Sequence, residues 1–278
     1  MRKLYKSLIL FGALLSVTGL SAGITYAAYN APSDTASYEF GSMETSDHNF
    51  QELGYYFGGG LGTSEFPYLI KNSQQLRNLA KLQNSGILPA DTYINLGTSF
   101  QYEGDAMDPI GTIDNPFTGV FDGLSHVITG LNISSNYNKN NTAYVGMFGV
   151  VGSSSATGTV QSFVLAGPRI AYSGSATTVK IGFGAGKKNT SGQTSTVQNI
   201  QVYGGTSSFK NIRARITSSV AVTGGDGIVG DGDSATSGFV NVLSGTPSYV
   251  SGPKYTSGYS AGTDYYLWYN GSSVESSN

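Results

Sequence analysis

Gly146-Met147-Phe148-Gly149 is followed by Thr159-Val160-Gln161-Ser162-Phe163-Val164-Leu165, and the same order returns as Ile181-Gly182-Phe183-Gly184 ahead of Thr196-Val197-Gln198-Asn199-Ile200-Gln201-Val202. Val160 and Val197 stand 37 residues apart. A looser third copy is Gly227-Ile228-Val229-Gly230 with Gly238-Phe239-Val240-Asn241-Val242-Leu243. Upstream, His126-Val127-Ile128-Thr129-Gly130-Leu131-Asn132-Ile133 has a similar strand pattern, 33 residues before the Val160 copy. Each unit holds strands too short to bury a core alone, so neighbouring units must stack. The expected fold class is all-β, a parallel β-helix or related solenoid with variable loops leaving a regular coil. A two-sheet sandwich is the alternative, because short alternating strands build that too.

Composition agrees with many short strands. The 278 residues include 39 glycines and 12% aromatics but only 12% charged residues, about half the usual charged share. Disordered segments also lack aromatic and β-branched residues, and this chain has both. The absence of cysteine excludes disulfides, thiolate zinc sites, cysteine nucleophiles and an acylated lipoprotein cysteine.

Arg2, Lys3 and Lys6, the apolar run Leu8 to Leu20, and Thr25-Tyr26-Ala27-Ala28 have the order of a secretory leader over 1–28. The run is short for a membrane span, an uncleaved anchor being the alternative, and no span is expected in the mature chain. Removal of the leader's three basic residues changes the formal charge from −2 to −5. A mildly acidic chain with dispersed Lys and Arg offers nucleic acid no electrostatic footing.

Residues 29–61 read as a polar arm or linker. Phe66-Pro67-Tyr68-Leu69-Ile70 reads as a strand with Pro67 near its start. Ser73 is placed to cap a helix through about Asn84, with Leu76, Leu79, Ala80 and Leu82 apolar and Gly86 ending it. Such a short N-terminal helix suits a lid over an open strand stack. The solenoid is expected over 62–254 and an aromatic C-terminal strand or cap over 255–278.

Phe117-Thr118-Gly119-Val120-Phe121-Asp122-Gly123-Leu124-Ser125-His126-Val127-Ile128-Thr129-Gly130-Leu131-Asn132-Ile133 resembles the element that precedes GLUG-motif repeats. Gly146-Met147-Phe148-Gly149 is similar to the motif itself, with Met in place of its Leu, and Gly182-Phe183-Gly184 is one residue short of it. The likeness runs from about 62 to 205. It implies a right-handed β-solenoid of a bacterial surface or secreted protein, adhesin-like, with no catalytic residues to carry over. The segment Gly23-Ile24-Thr25-Tyr26-Ala27-Ala28-Tyr29-Asn30 with Ala36-Ser37-Tyr38-Glu39-Phe40 is similar to leaders of Gram-positive matrix-fibre proteins. That second likeness implies cleavage near Ala28 and a place in extracellular matrix.

Chemistry-bearing motifs are sparse. The histidines are His48, in the polar arm, and His126, in a turn-to-strand element. Gly258-Tyr259-Ser260-Ala261-Gly262 has the nucleophile-elbow spacing but no histidine after it. Gly182 to Lys188 resembles a phosphate loop without the closing Ser or Thr, and reads as a basic turn. Asp226, Asp231 and Asp233 lie on a glycine-bent loop and could offer oxygen ligands to calcium, the one cofactor these residues allow; a solvated turn is the alternative. Asp105, Asp108, Asp114 and Asp122 are near enough in sequence to supply the paired carboxylates of glycoside cleavage, although Asp122 also suits the turn it forms with Gly123.

Tyr255, Tyr259, Tyr265, Tyr266, Trp268 and Tyr269 crowd the C-terminal end. Alternation in a strand there would turn some rings outward. Tyr265, Trp268 and Tyr269 are the candidate ligand contacts, a plug for the last coil being the other reading. The function expected is a non-catalytic adhesion or matrix module, secreted or at the cell surface. Its partner would be an extracellular polysaccharide or a matrix or host surface protein. A polysaccharide-cleaving β-helix enzyme and a purely structural spacer are the alternatives.

Overall fold

The computed structural model describes residues 53–203, 212–216, 221–223, 228–232, 239–241, 265–269 and 274–276. The expected leader and most of the polar arm lie outside these residues. The strands are β1 (Tyr68–Ile70), β2 (Tyr93–Leu96), β3 (Phe100–Gln101), β4 (Val120–Asp122), β5 (Val127–Thr129), β6 (Asn132–Ser135), β7 (Thr142–Val145), β8 (Phe148–Val151) and β9 (Thr159–Ala166). There follow β10 (Arg169–Tyr172), β11 (Thr178–Ile181), β12 (Ala185–Lys188), β13 (Thr196–Tyr203), β14 (Ile212–Ile216), β15 (Ala221–Thr223), β16 (Phe239–Asn241), β17 (Tyr265–Tyr269) and β18 (Val274–Ser276). One helix, α1 (Ser73–Asn84), separates β1 from β2.

The protein is all-β in class, and its sheets are largely parallel. The longest sheet has the order β1-β2-β4-β9-β13-β16, every neighbour parallel, with β3 and β5 alongside. A second sheet joins β6, β10 and β14 in parallel, a third joins β7, β11 and β15, and a fourth joins β8 and β12. From β5 to β16 consecutive strands therefore enter different sheets, and each pairs in parallel with a strand of a neighbouring repeat. This arrangement fits a β-helix.

Alternation explains the packing. In β6, β7, β10 and β11 half-buried and buried residues alternate strictly, the period of an extended strand with one face on a core. The buried positions form columns. Tyr68, Ile94, Phe121, Val160 and Val197 occupy successive registers of the long sheet and belong to one continuous core. Ile128, Leu165 and Val202 form a second column within it.

A corner is visible in the long sheet. β4 and β5 are separate strands joined by Gly123 to His126, yet both pair with the single strand β9. One residue of β9, Ser162 with φ +59°, does the work of that whole turn, and Asn199 with φ +54° does it in β13. Outside this bend, Leu124 N donates to Asp122 Oδ1 (2.8 Å), Gln161 Nε2 to Asp122 Oδ2 (2.7 Å) and Gln198 Nε2 to Gln161 Oε1 (2.7 Å). A polar ladder thus ties successive repeats together.

Three expectations about register and boundary need correcting. Phe148 is opposite Ala185, not Phe183, because one more residue separates Ile181 from Ala185 than separates Val145 from Phe148. Val160 has Phe121 as its upstream counterpart, and Val127 pairs with Val164, because the turn at Gly123 offsets the copies. The folded part also begins before residue 62: Leu53 and Phe57 are buried, and the Phe57 and Tyr68 rings stack at 4.6 Å.

Helix α1 runs as the sequence predicts, with Leu76, Leu79, Ala80 and Leu82 buried. Its cap is Asn72 rather than Ser73: Asn72 Oδ1 accepts from Gln75 N at 3.0 Å. Ser73 Oγ instead accepts from Glu103 N at 2.8 Å, joining the helix to the coil. Asn72→Ala will therefore lower stability by about 1 kcal/mol, read from the shift of a urea-unfolding midpoint. Ser73→Ala will remove the coil tether and leave the cap intact.

At the other end, β17 runs antiparallel to β14 and β18 antiparallel to β17. The chain direction reverses there and the parallel order of the second sheet ends. Among the described residues no helix is long and apolar enough to cross a membrane.

Candidate functional site

The carboxylates singled out in the sequence separate in space. Asp122 belongs to the polar ladder, both of its oxygens being occupied. Asp105 lies in an exposed turn, where its carbonyl accepts from Tyr102 Oη at 2.8 Å. Asp108 and Asp114, however, line one cleft of about 300 Å³. Its walls come from the end of α1 at Asn84, the segment from Asp108 to Asn115, and the stretch from Ser135 through Tyr137 to Tyr144.

Hydrogen bonds fix the walls. Asn84 Nδ2 donates to Pro109 O (2.9 Å), and Asn84 Oδ1 accepts from Gly111 N (2.8 Å). Asn115 Nδ2 donates to Asn84 O (2.7 Å), and Gln83 Nε2 donates to the carbonyls of Asn115 and Pro116 (3.1 Å each). The Asp108 to Asn115 segment is thus bound to the helix end through side-chain amides. Within it, Thr112 Oγ1 accepts from Asn115 N at 3.0 Å and closes a turn.

Electrostatics divide the two acids. Asp114 accepts from Lys139 Nζ and from Tyr137 Oη (2.7 Å). The Lys139 ammonium first, and the Tyr137 hydroxyl second, hold its carboxyl below the usual carboxylate range. Desolvation first, and the bond to Asp114 next, push the Tyr137 phenol up to about 12. Asp108 moves the other way: desolvation by the surrounding protein raises its carboxyl, with the more distant Lys81 opposing. Its side chain still reaches solvent at the rim.

Tyr137 is among the few large hydrophobic side chains left exposed among the described residues, at 39%. Tyr144 is half-buried, with Lys187 Nζ 5.2 Å from its ring centre. Asn136 is exposed beside them, and its amide makes no hydrogen bond within the described residues.

The other candidates fall elsewhere. His126 Nδ1 is 3.3 Å from Ser99 Oγ, which accepts from Val127 N, so the imidazole bonds to the preceding coil rather than within its own turn. The Gly182 to Lys188 stretch is not a turn: Ala185–Lys188 is β12, paired in parallel with β8. Asp231 lies 3.4 Å from Lys180 Nζ, so its carboxylate already faces a cation. Asp226 and Asp233 lie outside the described residues, as do His48, Ser260 and the side chains of Tyr265, Trp268 and Tyr269. Among the described residues no three His, Cys, Asp or Glu side chains gather as a metal site.

Tyr137, Asn136, Tyr144 and Lys139 did not stand out in the sequence. The available signal was the polar insert Asn136-Tyr137-Asn138-Lys139-Asn140-Asn141 between two alternating strands, with a tyrosine where a loop needs none.

No family model matches the chain, and no solved structure matches it. A protein of Evansella cellulosilytica whose name describes a Gly-rich membrane protein is 35% identical over 121 residues, which is 42% of this chain. The chain spans 13% of that protein's length.

Proposed function

We propose that this chain is a non-catalytic extracellular adhesion or matrix module, built as a right-handed parallel β-helix of the GLUG kind. The observation that carries this reading is the stacking of successive repeats in register, with the Asp122–Gln161–Gln198 ladder along the long parallel sheet. Repeating strand faces suit an extended ligand better than a single buried reaction centre does. The sequence features of a secretory leader support export. The name of the Evansella cellulosilytica relative, a Gly-rich membrane protein, supports an association with a membrane.

A polysaccharide-cleaving enzyme is the second reading, favoured by one observation. Asp108 and Asp114 share a cleft and their carboxyls are moved in opposite directions, the pattern that separates a general acid from a base. Against it, both Asp114 oxygens are already engaged by Lys139 and Tyr137. A carboxylate so held positions its neighbours more readily than it attacks or deprotonates.

One experiment separates the readings. The purified protein is incubated with insoluble polysaccharides and matrix proteins, with and without a calcium chelator. Retention without release of soluble sugar is the expected result. Sugar release would establish the enzyme, and neither retention nor release would leave a structural spacer. Loss of retention on chelation would assign calcium to the Asp226, Asp231 and Asp233 loop.

A further inference from the structure

We infer that the cleft between the end of α1 and the Asn136–Tyr137 turn is a binding subsite for an uncharged sugar residue of a polysaccharide. This deepens the adhesion reading and rests on it. The cleft presents two kinds of group, one fixed and one free. Asn84, Asn115, Thr112 and Asp114 are committed to protein partners and hold the walls in place. The Asn136 amide makes no hydrogen bond among the described residues, and Asp108 has only the distant charge of Lys81.

A carboxylate accepts and a carboxamide both donates and accepts, the combination needed by neighbouring sugar hydroxyls. Tyr137 and Tyr144 add ring surface for the C–H face of a pyranose, as amphipathic aromatics do at wet sites. A volume of about 300 Å³ is at the small end of ligand pockets, suited to one or two sugar units of a longer chain.

Charge favours a neutral sugar over an anionic one. Lys139 is already bound to Asp114 and Lys187 lies over the Tyr144 ring, while Asp108 has no cation in direct contact among the described residues. An acidic sugar would meet that carboxylate. Desolvation raises the carboxyl of Asp108. Ionisation there opposes folding, so stability is lost as pH rises into the raised titration range. Asp108 is exposed and makes no hydrogen bond among the described residues, which leaves its carboxylate open to a ligand.

Affinity electrophoresis of the full-length protein tests the site. The gels carry dextran, hydroxyethyl cellulose or galactomannan as neutral probes and polygalacturonate as the anionic probe. The expected result is retardation by at least one neutral probe. Asp108→Asn and Tyr137→Ala should each weaken it at least about tenfold, while Tyr137→Phe, which keeps the ring, stays within about threefold. Asp108→Asn should melt no lower than the parent at pH 7, which separates lost binding from lost folding. Retardation unchanged by Asp108→Asn and Tyr137→Ala would overturn the cleft and leave adhesion standing. So would retardation by polygalacturonate alone, or retention on matrix proteins with none on any polysaccharide. Retention by no probe and no matrix protein would overturn the adhesion reading as well.

Discussion

Phe148→Ala will lower the unfolding free energy by about 3–5 kcal/mol, the cost of removing a large buried aromatic from a packed core. Phe148 is fully buried, its ring centre 5.0 Å from that of Phe117 and 5.2 Å from that of Phe121. Phe121 meets Phe163 edge to face at 5.7 Å, so one aromatic chain spans two repeats. Such tilted and edge contacts add about 0.5–1.5 kcal/mol per pair beyond the area they bury. The position cannot collapse easily. Its register partner is Ala185 and its other neighbour is Ile110, both set by backbone hydrogen bonding. A void would therefore stay open and carry its own penalty. Urea unfolding with an exposed control, Leu124→Ala at a residue 52% exposed, gives the comparison. The control should move stability by no more than about 0.5 kcal/mol. A Phe148→Ala loss below about 1 kcal/mol would mean that the aromatic chain does not join the repeats.

The strand pattern was legible because its cause is local. Ile94, Phe121, Val160 and Val197 each stand in a short alternating run, and alternation alone puts them on the core side. Helix α1 was legible for the same reason, from the spacing of Leu76, Leu79 and Leu82. Register was not legible. Matching Phe148 with Phe183 follows the letters, but the stack follows the hydrogen bonds, which place Met147 N on Phe183 O and Phe148 N on Gly184 O. A single residue of difference between corners decides that, and nothing in the alternation reports it. The cap moved from Ser73 to Asn72 because both residues can accept a backbone N–H, and only the path of the chain chooses. The cleft was half legible. Asp108 and Asp114 were singled out by chemistry, but Asn84, Asn136 and Tyr144 reach the same cleft from two other segments. Stacked coils of unequal length bring such segments together, and sequence distance carries no trace of it.

Gly182→Ala should be nearly as damaging as Phe148→Ala, for the opposite reason. A Cβ on Gly182 would sit 2.3 Å from Ala185 O, 2.5 Å from Ile228 O and 2.6 Å from Gly230 N. All three are backbone atoms, and Ile228 and Gly230 belong to the next repeat. One repeat earlier, a Cβ on Gly146 would sit 2.1 Å from Gly182 O. Side chains could turn aside from such a contact, but backbone held in parallel ladders cannot. The expected loss is about 3 kcal/mol, the upper end of what overpacking costs. Gly86→Ala provides the contrast. Gly86 has φ +70° and its nearest neighbour would be the Asn115 side chain at 3.0 Å, so the penalty is the left-handed backbone, about 1–2 kcal/mol. Gly182→Ala should thus exceed Gly86→Ala, and Gly146→Ala should resemble Gly182→Ala. If both stack glycines tolerate alanine at less than about 1 kcal/mol, the repeats are farther apart than these contacts require. The motif would then owe its glycines to something other than the approach of one coil to the next. If the losses fall as expected, the recurring glycines mark where successive backbones touch, and their spacing follows the corners of the coil.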